Sequence, residues 1–235
     1  MKFLLTNDDG VDADGLESLR LAAADFGTCT VVAPHQPHSG CSHRISDIGP
    51  IRLERRAAGH YALHGTPADC TRIGLTQIAP DCEWVLSGVN AGGNLGSDVF
   101  MSGTVAAVRE AALCGRKGIA FSHYRRARDL AWDWGRCVEW TRRVLRRLQD
   151  QPLRPGEFWN VNFPQVPRDA GEPEIVFCPV DVAHFELRYE AVADSFVYRG
   201  CYHERRRTPG HDVDVCFGGR IAVSRMTVSS NAPVN

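Results

Sequence analysis

The 235-residue chain has no Cys-x-x-Cys pair, although it holds nine cysteines, Cys29, Cys41, Cys70, Cys82, Cys114, Cys137, Cys178, Cys201 and Cys216. Their odd number and scatter argue against both a disulfide framework and a structural zinc site, and suit small buried hydrophobes in a reducing compartment. An excess of positive charge is also missing: 27 Lys plus Arg face 28 Asp plus Glu, a formal net charge of -1. No nucleic-acid polymer or anionic membrane is therefore expected as a partner, and any affinity for phosphate must be local. No apolar run is long enough to span a bilayer, and acidic residues arrive at Asp8, too early for the apolar segment of a signal peptide. The expectation is a soluble cytoplasmic protein. Neither the P-loop pattern G-x-x-x-x-G-K-[ST] nor the dinucleotide fingerprint G-x-G-x-x-G occurs, and repeats and low-complexity segments are absent.

What is present is an ordinary globular balance, 43% hydrophobic and 23% charged, in a length that fits one generous domain. Phe3-Leu4-Leu5-Thr6-Asn7 reads as a buried strand ending in a turn at Gly10. Leu16, Leu19, Ala23 and Phe26 follow at helical spacing, with Asp12 or Asp14 as N-cap and Gly27 as terminator, and Thr30-Val31-Val32-Ala33 is a second strand. Such a unit builds a parallel sheet. The alternation returns with a strand at 84–87, a helix from Ser102 to Cys114, and a strand at 119–121. A long helix is expected from Asp129 to Gln149, with an apolar stripe of Leu130, Trp134, Val138, Thr141, Leu145 and Leu148 and an arginine face read as solvated. A strand at 158–163 follows. After Pro164 helical periodicity disappears and short β-like runs take over at 175–178, 196–198 and 220–224. The expected class is α/β, a three-layer Rossmann-like core with a mainly parallel sheet in one domain over 1–235. Residues 1–165 form the core, and 166–235 form a β-rich arm and C-terminal segment that reaches a partner subunit.

Ligands of an open parallel sheet bind where its strands end, so polar residues just after strands are the first candidates. Asp8 and Asp9 sit at the end of the first strand, where a turn at Gly10 can swing both toward one point. Paired carboxylates that close repel unless a cation lies between them, and oxygen-only donors favour a hard ion such as Mg2+ or Mn2+. The competing reading, that they merely cap the next helix, is weakened by Asp12 and Asp14, which are better placed to do so. The loop His35-Gln36-Pro37-His38-Ser39-Gly40-Cys41-Ser42-His43 offers hydroxyls and imidazoles, but Ser and Gly are also ordinary turn residues. The run Ser87-Gly88-Val89-Asn90-Ala91-Gly92-Gly93-Asn94 leads to Ser102-Gly103-Thr104-Val105 at a helix start, where small residues and free amides suit an oxyanion.

Leu4 to Val11, Ser39-Gly40, Gly65-Thr66-Pro67-Ala68-Asp69-Cys70 and the block from Ser87 to Ala107, in this order over about the first 125 residues, resemble the survival protein SurE family. The resemblance implies a metal-dependent acid phosphatase, a hydrolase acting as a 5'-nucleotidase on nucleoside monophosphates, extending to 3'-nucleotides and short polyphosphate. It implies that Asp8, Asp9, Ser39 and Asn90 hold one Mg2+ or Mn2+ per subunit, with Asp8 and Asp9 catalytic, and that Asn94, Ser102, Gly103 and Thr104 line a phosphate pocket. It further implies a β-hairpin arm and a C-terminal extension that build a homodimer or homotetramer. Two rivals come from other classes: a nucleotide-binding regulatory module that has lost hydrolysis, and a dinucleotide dehydrogenase, which the missing glycine fingerprint disfavours. For the leaving oxygen, His38 and His43 are candidate proton donors by position.

Overall fold

A computed structural model describes residues 1–127, 129–183 and 187–229. Chain order runs β1 (Lys2–Thr6), α1 (Asp14–Ala23), β2 (Thr28–Pro34), β3 (Leu53–Ala57), β4 (His60–Leu63), α2 (Pro67–Ile73), β5 (Trp84–Ala91), α3 (Gly103–Leu113), β6 (Lys117–His123), α4 (Trp134–Leu148) and β7 (Glu157–Phe163). It continues through β8 (Ile175–Phe177), β9 (Tyr189–Val192), β10 (Ser195–Tyr198), α5 (Asp212–Phe217) and β11 (Ile221–Thr227). Nine strands form one sheet in the order β3-β4-β2-β1-β5-β6-β7-β11-β8, parallel except at β3-β4 and β7-β11. Helices α1 and α4 cover one face, and α2 and α3 the other.

Central strands are covered on both faces, which is why β1, β5 and β6 read as continuous apolar runs. Leu5, Leu86, Phe121 and Val161 point to the α1/α4 side, while Leu4 and Val85 meet α2 and α3. Side chains such as Trp140, Val144, Leu145 and Leu148 anchor α4 to that sheet, each worth about 1.5–3 kcal/mol of apolar burial. Its arginines point outward into surface ion pairs, Arg142 with Asp25 at 2.6 Å and Arg143 with Glu172 at 2.7 Å.

Several boundaries differ from the sequence reading. Helix α4 starts at Trp134, where the Asp133 side chain accepts from the Arg136 amide, not at Asp129. Its buried stripe runs through Cys137, Trp140 and Val144, so Leu130 stays largely exposed and Val138 lies at the stripe's margin. Helix α1 has Ala13 at its N-cap with no side-chain cap, and Asp14 lies inside its first turn. Beyond Pro164, β8 and β11 join the main sheet, and the short helix α5 packs beside β11. Among the described residues only β9 and β10 stand apart, as an antiparallel hairpin. The polar tail from 230 lies outside the described residues.

Candidate active site

The chain leaves β1, lays β2, β4 and β3 on one side, and returns to place β5 on the other. A crevice opens where the strand order reverses, between the carboxyl ends of β1 and β5. Asp8 and Asp9 follow β1, Asn90 is the penultimate residue of β5, and Ser39 comes from the loop after β2.

The turn after β1 is built by Asn7, whose side-chain amide donates to the Gly10 carbonyl at 2.7 Å while its oxygen accepts from the Gly10 amide at 3.2 Å. Gly10 has φ +103°, a conformation that side chains resist, so glycine is what lets the chain reverse there. The reversal also draws in the next loop, since the His38 amide donates to the Asp8 carbonyl at 2.7 Å, one residue before Ser39. Ser42 ties that loop onward, its hydroxyl donating to the Phe100 carbonyl at 2.7 Å.

A cavity of about 240 Å3 results, lined by Asp8, Asp9, Ser39, Asn90, Asn94 and Ser102 together with Asp98 and Met101. Asp8 is buried, and burial pushes its carboxyl from 3.8 up to about 6; Thr104 works against that shift and the charge of Asp9 adds to it. Burial also raises Asp9, whose Oδ2 accepts from the Ala91 amide at 2.9 Å. Neither carboxylate caps α1; both face the cavity. Asn90 donates its Nδ2 to the Gly92 carbonyl at 2.8 Å, and among the described residues its side-chain oxygen takes no hydrogen bond. Asn94 gives one amide hydrogen to Ser122 at 2.8 Å, while its backbone is held by Asn160 and Asn162.

Ser102 caps α3, its oxygen accepting from the Val105 amide at 3.1 Å while its own hydrogen stays available. Gly103 sits against the carboxylate itself: a Cβ there would lie 2.9 Å from the Asp8 Cβ and 2.9 Å from the Cys41 Sγ. Thr104 departs from the arrangement the sequence suggested. Its hydroxyl is fully buried and donates to Asp8 Oδ1, and its amide also favours the ionised form of that carboxyl. Thr104 therefore orients Asp8 rather than lining the cavity.

Asp98 is the residue that sequence reasoning passed over. It lies in the tight turn before Ser102, held at 2.9 Å by Arg205, whose guanidinium also donates to the Leu95 carbonyl at 3.1 Å. Burial raises its carboxyl, partly offset by that guanidinium. The only local signal was an acidic residue inside an otherwise small and apolar loop. His38 and His43 are absent from the lining; His43 instead meets the buried Glu110 at 2.7 Å, which also accepts from Arg72. A larger cavity of about 550 Å3 lies by His123 and α4, but its single carboxylate, Asp133, offers no paired donors.

The family model described as "Survival protein SurE" matches residues 3–185. A protein of Nostoc sp. (strain PCC 7120) that carries a provisional 5'-nucleotidase name is 49% identical over 228 residues, covering 97% of this chain and 100% of its own length. The 5'/3'-nucleotidase SurE of Edwardsiella ictaluri is 41% identical over 177 residues, 72% of this chain and 66% of that protein. Among solved structures, SurE from Aquifex aeolicus superposes with a TM-score of 0.86 at 25% identity, covering 98% of this chain and 95% of the other.

Proposed function

Because the chain belongs to the survival protein SurE family, we propose that it is a metal-dependent 5'-nucleotidase that releases phosphate from nucleoside 5'-monophosphates, with Asp8, Asp9, Ser39 and Asn90 holding one Mg2+ or Mn2+. The observation that carries this reading is the meeting of these oxygen donors at the strand-order reversal, beside the N-terminus of α3. The donors fit a hard cation: all are oxygens, and the cavity lining contains three carboxylates and no Lys or Arg among the described residues. Arg205 offsets Asp98, while Asp8 and Asp9 still set negative charge against an entering phosphate dianion, which a bound dication would offset.

Asp8, Asp9, Ser39 and Asn90 would hold the divalent ion, which would supply positive charge against the carboxylates and the phosphate and Lewis acidity toward a water. The chain supplies the positioning. Thr104 and the Ala91 amide fix the two carboxylates, so little reorganisation is needed as charge moves. The Ser102 hydroxyl, the second amide hydrogen of Asn94 and the positive end of the α3 dipole favour the non-bridging phosphate oxygens, the positioning that dominates phosphoryl transfer. Gly103 lets the helix end approach without a side chain intervening.

The finer assignments rest on further features. The β9–β10 hairpin exposes Tyr189, Val192, Phe196 and Tyr198, which supports a homodimer or homotetramer joined through this arm. Nine unpaired cysteines support a reducing, cytoplasmic setting. Among the described residues no helix is long and apolar enough to cross a membrane.

The test is phosphate release from AMP, GMP and p-nitrophenyl phosphate with Mg2+ or Mn2+, with and without EDTA. Metal-dependent release that EDTA stops is the expected result. Nucleotide binding without release would favour the regulatory alternative.

A further inference from the structure

Parallel pairing of β2 with β4 sets Pro34 beside Leu63, so His35 and His64 leave neighbouring strands at the same level. Backbone bonds hold both in place, from the His35 amide to the Leu63 carbonyl at 2.7 Å and from the His64 amide to the Arg52 carbonyl at 2.9 Å. Glu54 of the edge strand β3 pairs with Ala62, two residues before His64, which puts the two side chains on one face. Three adjacent strands thus deliver two imidazoles and a carboxylate to one point. The imidazole rings stack with centroids 4.2 Å apart, His64 Nε2 meets Glu54 Oε1 at 2.8 Å, and one donor atom from each residue lies within 4.8 Å of the others.

From this juxtaposition we infer a second metal site on this chain, formed by His35, Glu54 and His64, that takes a borderline transition-metal dication such as Zn2+. None of the three lines the cavity that holds Asp8 and Asp9. The donor chemistry separates the two sites: oxygens alone select Mg2+ or Mn2+, whereas imidazole nitrogens with one carboxylate select Zn2+, Co2+, Ni2+ or Cu2+. Three protein donors leave a fourth position for water. Closing the donors onto an ion takes rotation of one imidazole out of the stack, and the side chains of both His64 and Glu54 are only partly covered, which leaves room for it. Arg52 and Arg56 also reach Glu54, at 3.1 and 3.4 Å, but both are substantially exposed and such pairs contribute little, so an ion displaces them at small cost. Bound there, the ion joins β3, β4 and the exit of β2, four residues before Ser39, and anchors the loop that carries that serine.

Zn2+ retention is measured by equilibrium dialysis in excess Mg2+, which fills the oxygen site, for the wild-type chain and for His35→Ala, His64→Ala and Glu54→Gln. The expected result is one Zn2+ per chain more in the wild type than in either histidine variant, with weaker retention in Glu54→Gln. Equal Zn2+ content in wild type and both histidine variants overturns the site. Should a variant fail to fold, Co2+ added to the wild-type chain in excess Mg2+ decides: intense visible bands of four-coordinate Co2+ support the site, and their absence refutes it. Both readouts are independent of phosphate release, so they stand or fall apart from the nucleotidase reading.

Discussion

Replacing Asp8 by Asn separates what this carboxylate does for function from what it costs the fold. The buried carboxyl is raised from 3.8 to about 6, chiefly by burial and further by the charge of Asp9. A carboxyl raised in this way favours folding while it is neutral. That contribution is complete below about pH 3.8 and is lost as pH rises through about 6. At about 1.4 kcal/mol for each tenfold change in proton affinity, the metal-free protein gives up about 3 kcal/mol between those limits. Asn keeps an oxygen that accepts from Thr104 and carries no charge to bury. In EDTA, Asp8→Asn should therefore match the wild type near pH 4 and exceed it by about 3 kcal/mol at pH 8, roughly 6–12 °C in Tm for a chain of this size. Mn2+ at 1,000 times its Kd should reverse the order, since it adds about 4.1 kcal/mol to the wild type alone. Thermal melts from pH 4 to 8, with EDTA and with Mn2+, measure this. A metal-free Asp8→Asn protein less stable than wild type at pH 8, or a gap that ignores pH, refutes the electrostatic reasoning.

Gly103→Ala places a methyl within 2.9 Å of the Asp8 Cβ, so Mn2+ affinity should fall about tenfold or more, read from the Mn2+ concentration giving half-maximal phosphate release. Thr66→Ala removes the capping box that Thr66 forms with Asp69 at the start of α2, and the bond from the Thr66 hydroxyl to the Arg44 carbonyl. Urea unfolding should show a loss of about 1–2 kcal/mol. His123 is buried and held down to about 4 by burial, so it favours folding while neutral, above about pH 6.5, and that contribution is lost as pH falls toward 4. His123→Leu should therefore gain stability relative to wild type at pH 4.5 over its value at pH 8, a trend opposite to that of Asp8→Asn and separable by urea melts at the two pH values.

The parallel core was legible because strands covered on both faces must be apolar throughout. The runs at Phe3, Val31, Trp84, Ile119 and Phe158 all became sheet strands, and Ser102 caps α3 as its position suggests. Strand β3, Leu-Glu-Arg-Arg-Ala, was not legible, since an edge strand facing water carries charge and shows little alternation. The inclusion of β8 and β11 in the main sheet was hidden for another reason: β8 has three residues, and antiparallel insertion of β11 depends on long-range pairing with β7. At the site, residue types at a strand end pointed to Asp8 and Asp9, the family resemblance added Ser39 and Asn90, and the fold brings all four to one cavity. What local pattern could not reveal was which partner each side chain takes. Thr104 reads as a phosphate ligand until its hydroxyl is seen against Asp8, and Asp98 reads as a turn residue until Arg205 arrives from more than a hundred positions away.

The most direct measurement is the rate of phosphate release from AMP as Mn2+ is titrated into metal-free wild type and metal-free Asp9→Asn. Saturable activation of the wild type, and none in a folded Asp9→Asn protein, is the predicted result. Equal Mn2+-dependent rates in the two proteins would contradict the assignment of the metal and the chemistry to the paired carboxylates at the end of β1.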